Sequence, residues 1–247
     1  IQEFSMTAQI IDGKKVAAEF RSEIADEIKE IKHKFDTIPG LAVILVGCNA
    51  ASETYVNAKE KAAHQVGMNS VIYKLSVDIS ENELLEKIAQ LNNDKKIHGI
   101  LVQLPLPEHI SSHEVIHAID PRKDVDGFNV VNVGKLSVGQ VGDKHGAIVP
   151  CTPLGSMYLL KSAIGHDLQG VKALVIGASN IVGRPLAQLL MLAGCTVTVA
   201  NSKTRDLKAA CLDADVIFSA TGKAGLIKAD MVKKGVVIID IGINRIS

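Results

Sequence analysis

Three stretches of this 247-residue chain combine residue types and spacings that could do chemistry. The first is Tyr55-Val56-Asn57-Ala58-Lys59, a phenol and an amine four residues apart. On a helix the two share one face, about 6 Å apart along the axis. A phenol beside an amine can orient it and share its protons, which suits proton transfer. An exposed amphipathic face gives the same spacing with no chemistry. The second stretch is Lys123-Asp124-Val125-Asp126-Gly127-Phe128. Aspartate before glycine is ordinary turn chemistry. Such a carboxylate can also accept two N–H donors from a ligand with an amidine-like edge, and a pterin ring has that edge.

The third stretch is Gly177-Ala178-Ser179-Asn180-Ile181-Val182-Gly183-Arg184-Pro185, between the apolar run 171–176 and the helical run 186–192. In a strand–turn–helix unit, glycine lets the backbone approach a pyrophosphate. The helix N-terminus then offers free N–H groups and a positive dipole end. The spacing is G-x-S-x-x-x-G rather than G-x-G-x-x-G, so a tight turn without a ligand is the competing reading. The next strand is informative too. An NAD site places an acid at its end to hold the ribose hydroxyls. Here the chain runs Val199-Ala200-Asn201-Ser202-Lys203-Thr204. A hydroxyl and a cation suit a ribose phosphate, which favours NADP. Short-chain dehydrogenases also use Y-x-x-x-K, but after the dinucleotide fold. In this chain the pair comes well before it, which argues against that family.

The elements that must position these residues alternate. Val16, Phe20, Ile24, Ile28 and Ile31 have helical period over 14–34. Leu41–Val46 reads as a buried strand, and Ser52 as the N-cap of a helix reaching Val66. Strand 70–75, a helix from Ser80 to Leu91, strand 99–104 and a helix over 112–119 follow. Residues 123–150 are glycine-rich and poorly periodic, which places a domain junction near their end. Then come helix 154–164, strand 171–176, helix 184–193, strand 195–200, helix 205–211, and strands 215–219 and 236–241. The pattern is α/β with mostly parallel sheets. In such sheets ligands sit beyond the carboxyl ends of the strands. That is where all three stretches fall.

Hydrophobic residues make up 47% of the chain, enough for a real core, but no apolar run is long enough to span a bilayer. Lys+Arg and Asp+Glu are both 27, so the net charge of zero offers no field for nucleic acid or an anionic membrane. Cys48, Cys151, Cys195 and Cys211 are scattered, which suits reduced thiols and a cytoplasmic protein. No cluster has metal-ligand spacing. His109, His113 and His117 read as a solvated helix face. Ile1–Ser5 ahead of Met6 read as an appended segment and are set aside from the fold.

Taken together the segments resemble the bifunctional methylenetetrahydrofolate dehydrogenase/cyclohydrolase family over essentially all of Met6–Ser247. The phrases are Tyr55–Lys59, Gly99-Ile100-Leu101-Val102-Gln103-Leu104-Pro105-Leu106-Pro107, Lys123–Phe128, Pro150-Cys151-Thr152-Pro153-Leu154-Gly155, Gly177–Pro185 and Asp240-Ile241-Gly242-Ile243-Asn244-Arg245. The resemblance implies a folate-binding catalytic α/β domain over 6–150 and a Rossmann-like, doubly wound NADP-binding domain over 151–247. It implies two reactions in one cleft: hydride transfer from methylenetetrahydrofolate to NADP⁺, then hydrolysis of methenyltetrahydrofolate to formyltetrahydrofolate. Lys59 would be the main catalytic group, with Tyr55 beside it against the pterin. Gln103 would tune Lys59, and Asp126 would bind the pterin's N–H edge. Cofactor contacts would come from Gly177, Ala178, Ser179, Ser202, Lys203, Thr221, Gly222 and Ile243. A homodimer built through the dinucleotide half is implied as well. Many members carry Arg where this chain has Ala178, so Ser202 and Lys203 must carry more of the ribose phosphate. Members continue beyond the position of Ser247, through a Pro-Gly-Gly-rich loop and a returning helix. A chain ending there should have an open folate pocket and exposed apolar surface. Two further readings stand beside the bifunctional enzyme: a dehydrogenase lacking cyclohydrolase activity, and a non-catalytic nucleotide-binding module.

Overall fold

The computed structural model of the protein describes residues 8–142 and 146–242. In the first half α1 (Gly13–Phe35), β1 (Gly40–Val46), α2 (Ala50–Gln65), β2 (Asn69–Leu75), α3 (Glu81–Asn93), β3 (Gly99–Val102), α4 (Ser112–Ala118) and α5 (Val130–Ser137) follow one another. The strands form a parallel sheet in the order β2-β1-β3. Alternate residues of β1 point to opposite faces. Ala42, Ile44 and Val46 pack with Leu84, Ile88 and Leu91 of α3 and Val115 of α4. Val43 and Leu45 pack with Val56 of α2. Helices cover both faces, which is why β1 is an unbroken apolar run.

The second half contains α6 (Cys151–Ile164), β4 (Lys172–Ile176), α7 (Gly183–Leu192), β5 (Thr196–Ala200), α8 (Leu207–Asp213), β6 (Val216–Ser219) and β7 (Val237–Asp240). Its sheet is parallel in the order β5-β4-β6-β7. Ala173 and Val175 face Leu186 and Leu190 of α7 and Leu160 of α6. Leu174 and Ile176 face Cys211 of α8 on the other side. Strand order turns back at β4, so the gap beyond its carboxyl end is the place a doubly wound sheet offers a ligand. This is the two-domain α/β architecture expected from the sequence.

Local chemistry explains most boundaries and corrects some. Ser80 and Glu83 form a reciprocal capping box that starts α3. Ser52 is not a cap: it is buried inside α2, and its N–H donates to Asn49 Oδ1 at 3.1 Å. The helix starts earlier because Asn49 supplies the acceptor that its first turn needs. β3 stops at Val102, although Gln103 N–H still donates to the Ile44 carbonyl at 2.9 Å. The stretch 123–150 is not structureless, since α5 lies within it, capped by Asn129. α6 begins at Cys151, three residues before its expected start. All four cysteines are free, Cys195 and Cys211 being buried. His113 and His117 stack at 4.2 Å on the exposed face of α4. Among the described residues no helix is long and apolar enough to cross a membrane, and no group of three side chains could hold a metal.

Candidate active site

Lys59 and Gln103 are brought together by the first sheet. α2 packs on β1 and carries Lys59 above the strand's carboxyl end. Gln103 is the first residue past β3, fixed by its backbone bond to Ile44. Its side-chain Nε2 donates to the Leu104 carbonyl at 2.8 Å, which turns Oε1 outward. Lys59 Nζ donates to that Oε1 at 3.2 Å. The amine is thereby aimed rather than left to swing. Tyr55, one turn earlier on the same helix, is 48% exposed, so about half of it remains open to solvent.

Asp126 lies within the field of this pair. Burial pushes its carboxyl above the usual range, and the Asp124 charge adds to the rise while Lys59 opposes it. A half-buried carboxylate suits binding of N–H donors, which replace the lost water. Gly127 gives the loop its turn with φ +68°. A β-carbon there would overlap the Ile148 carbonyl and Pro150, so the loop presses on the segment entering α6. Cys151 opens α6 and was not selected from the sequence. The residue keeps surface open to solvent, yet the crowding around its thiol raises it. Asp126 and Asp124 add to the rise, and Lys59 opposes it. Its Sγ donates to the Val125 carbonyl at 3.6 Å. Nothing in the spacing of Cys151 points to Asp126, because the fold brings the thiol into that carboxylate's field across 25 residues.

The expected cofactor residues fall at the carboxyl edge of the second sheet. Gly177 has φ +118°, and a β-carbon on it would overlap the Ala220 carbonyl. Its N–H donates to the Ala200 carbonyl at 2.8 Å. The ends of β4, β5 and β6 therefore meet at this glycine. A β-carbon on Gly183 would overlap the Gly177 carbonyl, so α7 can start directly beneath the turn only with glycine there. Ala178 is half-buried, whereas Ser202 and Lys203 are exposed just past β5. Arg205 stands exposed beside them, a second cation that the sequence reading passed over. Thr221 and Gly222 follow β6, and Gly222 lies against Gly242 at the end of β7. Ile243 lies outside the described residues.

One expectation needs correction. The first N–H groups of α7 are not free. Ser179 Oγ accepts from Val182 and Gly183 at 3.2 and 3.4 Å, and the Ser179 carbonyl accepts from Arg184 at 3.0 Å. Ser179, in the turn before α7, therefore takes up N–H groups at the helix start, where Val182 is the N-cap. The attraction left for an anion is the positive end of the helix dipole and the backbone of the turn before it.

Comparison with known proteins follows the same division. The family model for the tetrahydrofolate dehydrogenase/cyclohydrolase catalytic domain matches residues 11–126. The model for the tetrahydrofolate dehydrogenase/cyclohydrolase NAD(P)-binding domain matches residues 150–247. A relative from Rhodospirillum rubrum named "Bifunctional protein FolD" is 53% identical over 241 residues, covering 98% of this chain and 81% of the relative. The crystal structure of the bifunctional methylenetetrahydrofolate dehydrogenase/cyclohydrolase of Campylobacter jejuni superposes with a TM-score of 0.91 at 47% identity, covering 96% of this chain and 82% of that one. The Trypanosoma brucei dehydrogenase–cyclohydrolase, solved with NADP cofactor and inhibitor, gives a TM-score of 0.91 at 34% identity, covering 98% and 82%.

Proposed function

The chain belongs to the tetrahydrofolate dehydrogenase/cyclohydrolase family, and from that premise we propose how its own residues divide the two reactions. The protein is a bifunctional, NADP-dependent enzyme that oxidises methylenetetrahydrofolate to methenyltetrahydrofolate and hydrolyses the product to formyltetrahydrofolate. Residues 6–150 form the folate-binding half and 151–247 the cofactor-binding half.

The residues at the second sheet's edge fit NADP. Only glycine leaves room at 177 and 183 for the turn that a pyrophosphate approaches. Ser202, Lys203 and Arg205 supply a hydroxyl and two cations where an NAD enzyme would carry an acid. The backbone of Gly177, Ala178 and Ser179 would hold the pyrophosphate. Thr221 and Gly222, just past β6 at the same edge, would give further cofactor contacts. When bound, NADP⁺ supplies the hydride acceptor.

Tyr55 lies against the pterin, and Asp126 accepts hydrogen bonds from its amidine-like edge. For the hydride step the protein chiefly holds the donor carbon in position, because the folate nitrogens already activate it. Hydrolysis asks more. Water adds to the cationic methenyl carbon as one of its protons passes to the free-amine form of Lys59 and on to solvent. The carbon–nitrogen bond then breaks as the adduct's hydroxyl proton goes to the ring nitrogen and its carbon–oxygen bond becomes the formyl carbonyl. Gln103 holds Lys59 at the reacting carbon throughout. The observation that carries this reading is the 3.2 Å bond between Lys59 and Gln103, with Asp126 in its field. That pair also speaks against a dehydrogenase without hydrolase activity, which would have no use for an aimed amine.

A homodimer through the second sheet is part of the proposal. β5 is an edge strand with Val199 42% exposed, a strand available for pairing. The cytoplasm is the proposed compartment, in keeping with four unpaired thiols. Absorbance of methenyltetrahydrofolate, followed with and without NADP⁺, tests the function. Formation from methylenetetrahydrofolate only with NADP⁺, and enzyme-accelerated loss without it, are the expected results. Absence of either overturns the bifunctional reading.

A further inference from the structure

Beneath the Asp126 loop lies a polar cluster with no part in the mechanism so far. Asp124 is 2% exposed, and its Oδ2 accepts from Asn129 N–H at 2.8 Å and from Asn132 Nδ2 at 3.0 Å. Asn129 and Asn132 are also 2% exposed. Asn129 Nδ2 donates to the carbonyls of Ile116 and Ile119, fixing the end of α4. Asn132 Nδ2 donates to the Pro121 carbonyl at 2.8 Å as well, and its Oδ1 accepts from Ile148 N–H at 3.2 Å. The carboxylate therefore holds the start of α5, and the two asparagines it holds tie in the end of α4 and the segment leading into α6. Its own backbone is pinned too, forming a bridge with Ile100 of β3. Buried polar groups in a fully bonded network are costly to disturb and hold one geometry.

We propose that Asp124 is a positioning residue for folate binding: held by Asn129 and Asn132, it fixes the loop from which Asp126 meets the pterin and places a second negative charge behind it. The inference rests on Asp126 being the pterin ligand. Among the described residues, the ionisable groups that bear on Asp126 are Lys59 from α2, Asp124 from its own loop and Cys151 from the start of α6. Lys59 favours the ionised carboxyl of Asp126 and Asp124 disfavours it. A simple scaffold would hold the loop without affecting how Asp126 titrates. A positioning carboxylate does both, and the two effects separate by variant.

Asp124→Asn keeps the shape and an acceptor oxygen but removes the charge. Asn132→Ala keeps the charge but breaks the tie to Asp124 and Ile148. Each purified variant is titrated calorimetrically with a folate analogue across the acid range, alongside Asp126→Asn, and thermal unfolding confirms folding. Asp124→Asn should move the acid limit of folate binding to lower pH, because Asp126 loses its like-charged neighbour. Asn132→Ala should leave that limit in place and weaken folate binding about 10-fold, the scale of one lost hydrogen bond to a charge. NADP⁺ affinity should stay the same in both. If Asp126→Asn weakens folate binding while Asp124→Asn leaves the acid limit unmoved, the role of Asp124 is overturned. If Asp126→Asn itself binds folate normally, the assignment of Asp126 has failed first. Should Asp124→Asn not fold, an Asn132→Ala protein that folds and binds folate at full strength overturns the inference.

Discussion

Lys59 Nζ donates to Gln103 Oε1 across 44 residues of sequence, joining α2 to the first residue beyond β3. Because the Gln103 amide is anchored at its other end to the Leu104 carbonyl, it acts as a fixed stop for a flexible amine. Gln103→Ala should release Lys59 and slow methenyltetrahydrofolate hydrolysis roughly 10²-fold, the cost of a catalytic group misplaced by about 1 Å. NADP⁺ affinity should not change. Stopped-flow hydrolysis with a parallel NADP⁺ titration checks both, and an unchanged hydrolysis rate contradicts the role.

Asp126 should trade stability for binding. Its carboxyl is raised in the folded protein, first by burial, so folding favours the protonated form. A group with a raised folded value favours folding most at low pH, and that contribution is lost as pH rises through the raised value. Ionised Asp126 is therefore a burden at neutral pH. Asp126→Asn should raise Tm at pH 7, and the gain should vanish as pH falls through the carboxylate range. The same variant should lose folate affinity and keep NADP⁺ affinity. Thermal unfolding against pH is the measurement, and a lower Tm at pH 7 contradicts the sign.

Gly183→Ala tests the turn beneath the second sheet's edge. The added methyl meets the Gly177 carbonyl, which is backbone and cannot rotate away. A destabilisation of about 1–3 kcal/mol is expected, with weaker NADP⁺ binding as Gly177 is pushed from its place. Urea unfolding that matches the unmutated protein would show that α7 starts elsewhere.

How much of this was legible in the sequence depends on range. The apolar runs of β1 and β4 and the cap at Ser80 are local signals, and they placed both sheets and most helices. α5 was hidden because Val130, Val131, Val133 and Gly134 are poor helix formers. What makes it helical is the Asn129 cap and the burial of Asn132 and Leu136, a tertiary effect. Ser52 and Asn49 are both good caps by type, and only the fold decides between them. Asp124 and Cys151 acquire their meaning from neighbours distant in sequence. For Ser179 the resemblance implies a cofactor contact, and the fold adds a local role, its hydroxyl accepting from the N–H groups of Val182 and Gly183.

Lys203→Glu addresses the choice of cofactor. Lys203 is exposed past β5, where an acid would hold the ribose hydroxyls of NAD. The substitution should weaken NADP⁺ binding by about 1–3 kcal/mol, the scale of a lost charge-assisted bond, and leave NAD⁺ binding nearly unchanged. Fluorescence titration with both cofactors decides. Equal kcat/KM for NADP⁺ and NAD⁺ in the unmutated enzyme would remove the basis for this assignment.

The central claim is that Lys59 moves the protons of hydrolysis while hydride transfer depends mainly on positioning. The measurement is methenyltetrahydrofolate hydrolysis by purified Lys59→Met, corrected for the spontaneous rate, with NADP⁺ binding as the control for folding. Loss of about 10²–10⁴-fold with NADP⁺ affinity retained is the predicted result, the size of positioned acid–base catalysis. Hydrolysis at the unmutated rate would make Lys59 a solvated helix residue and contradict the account.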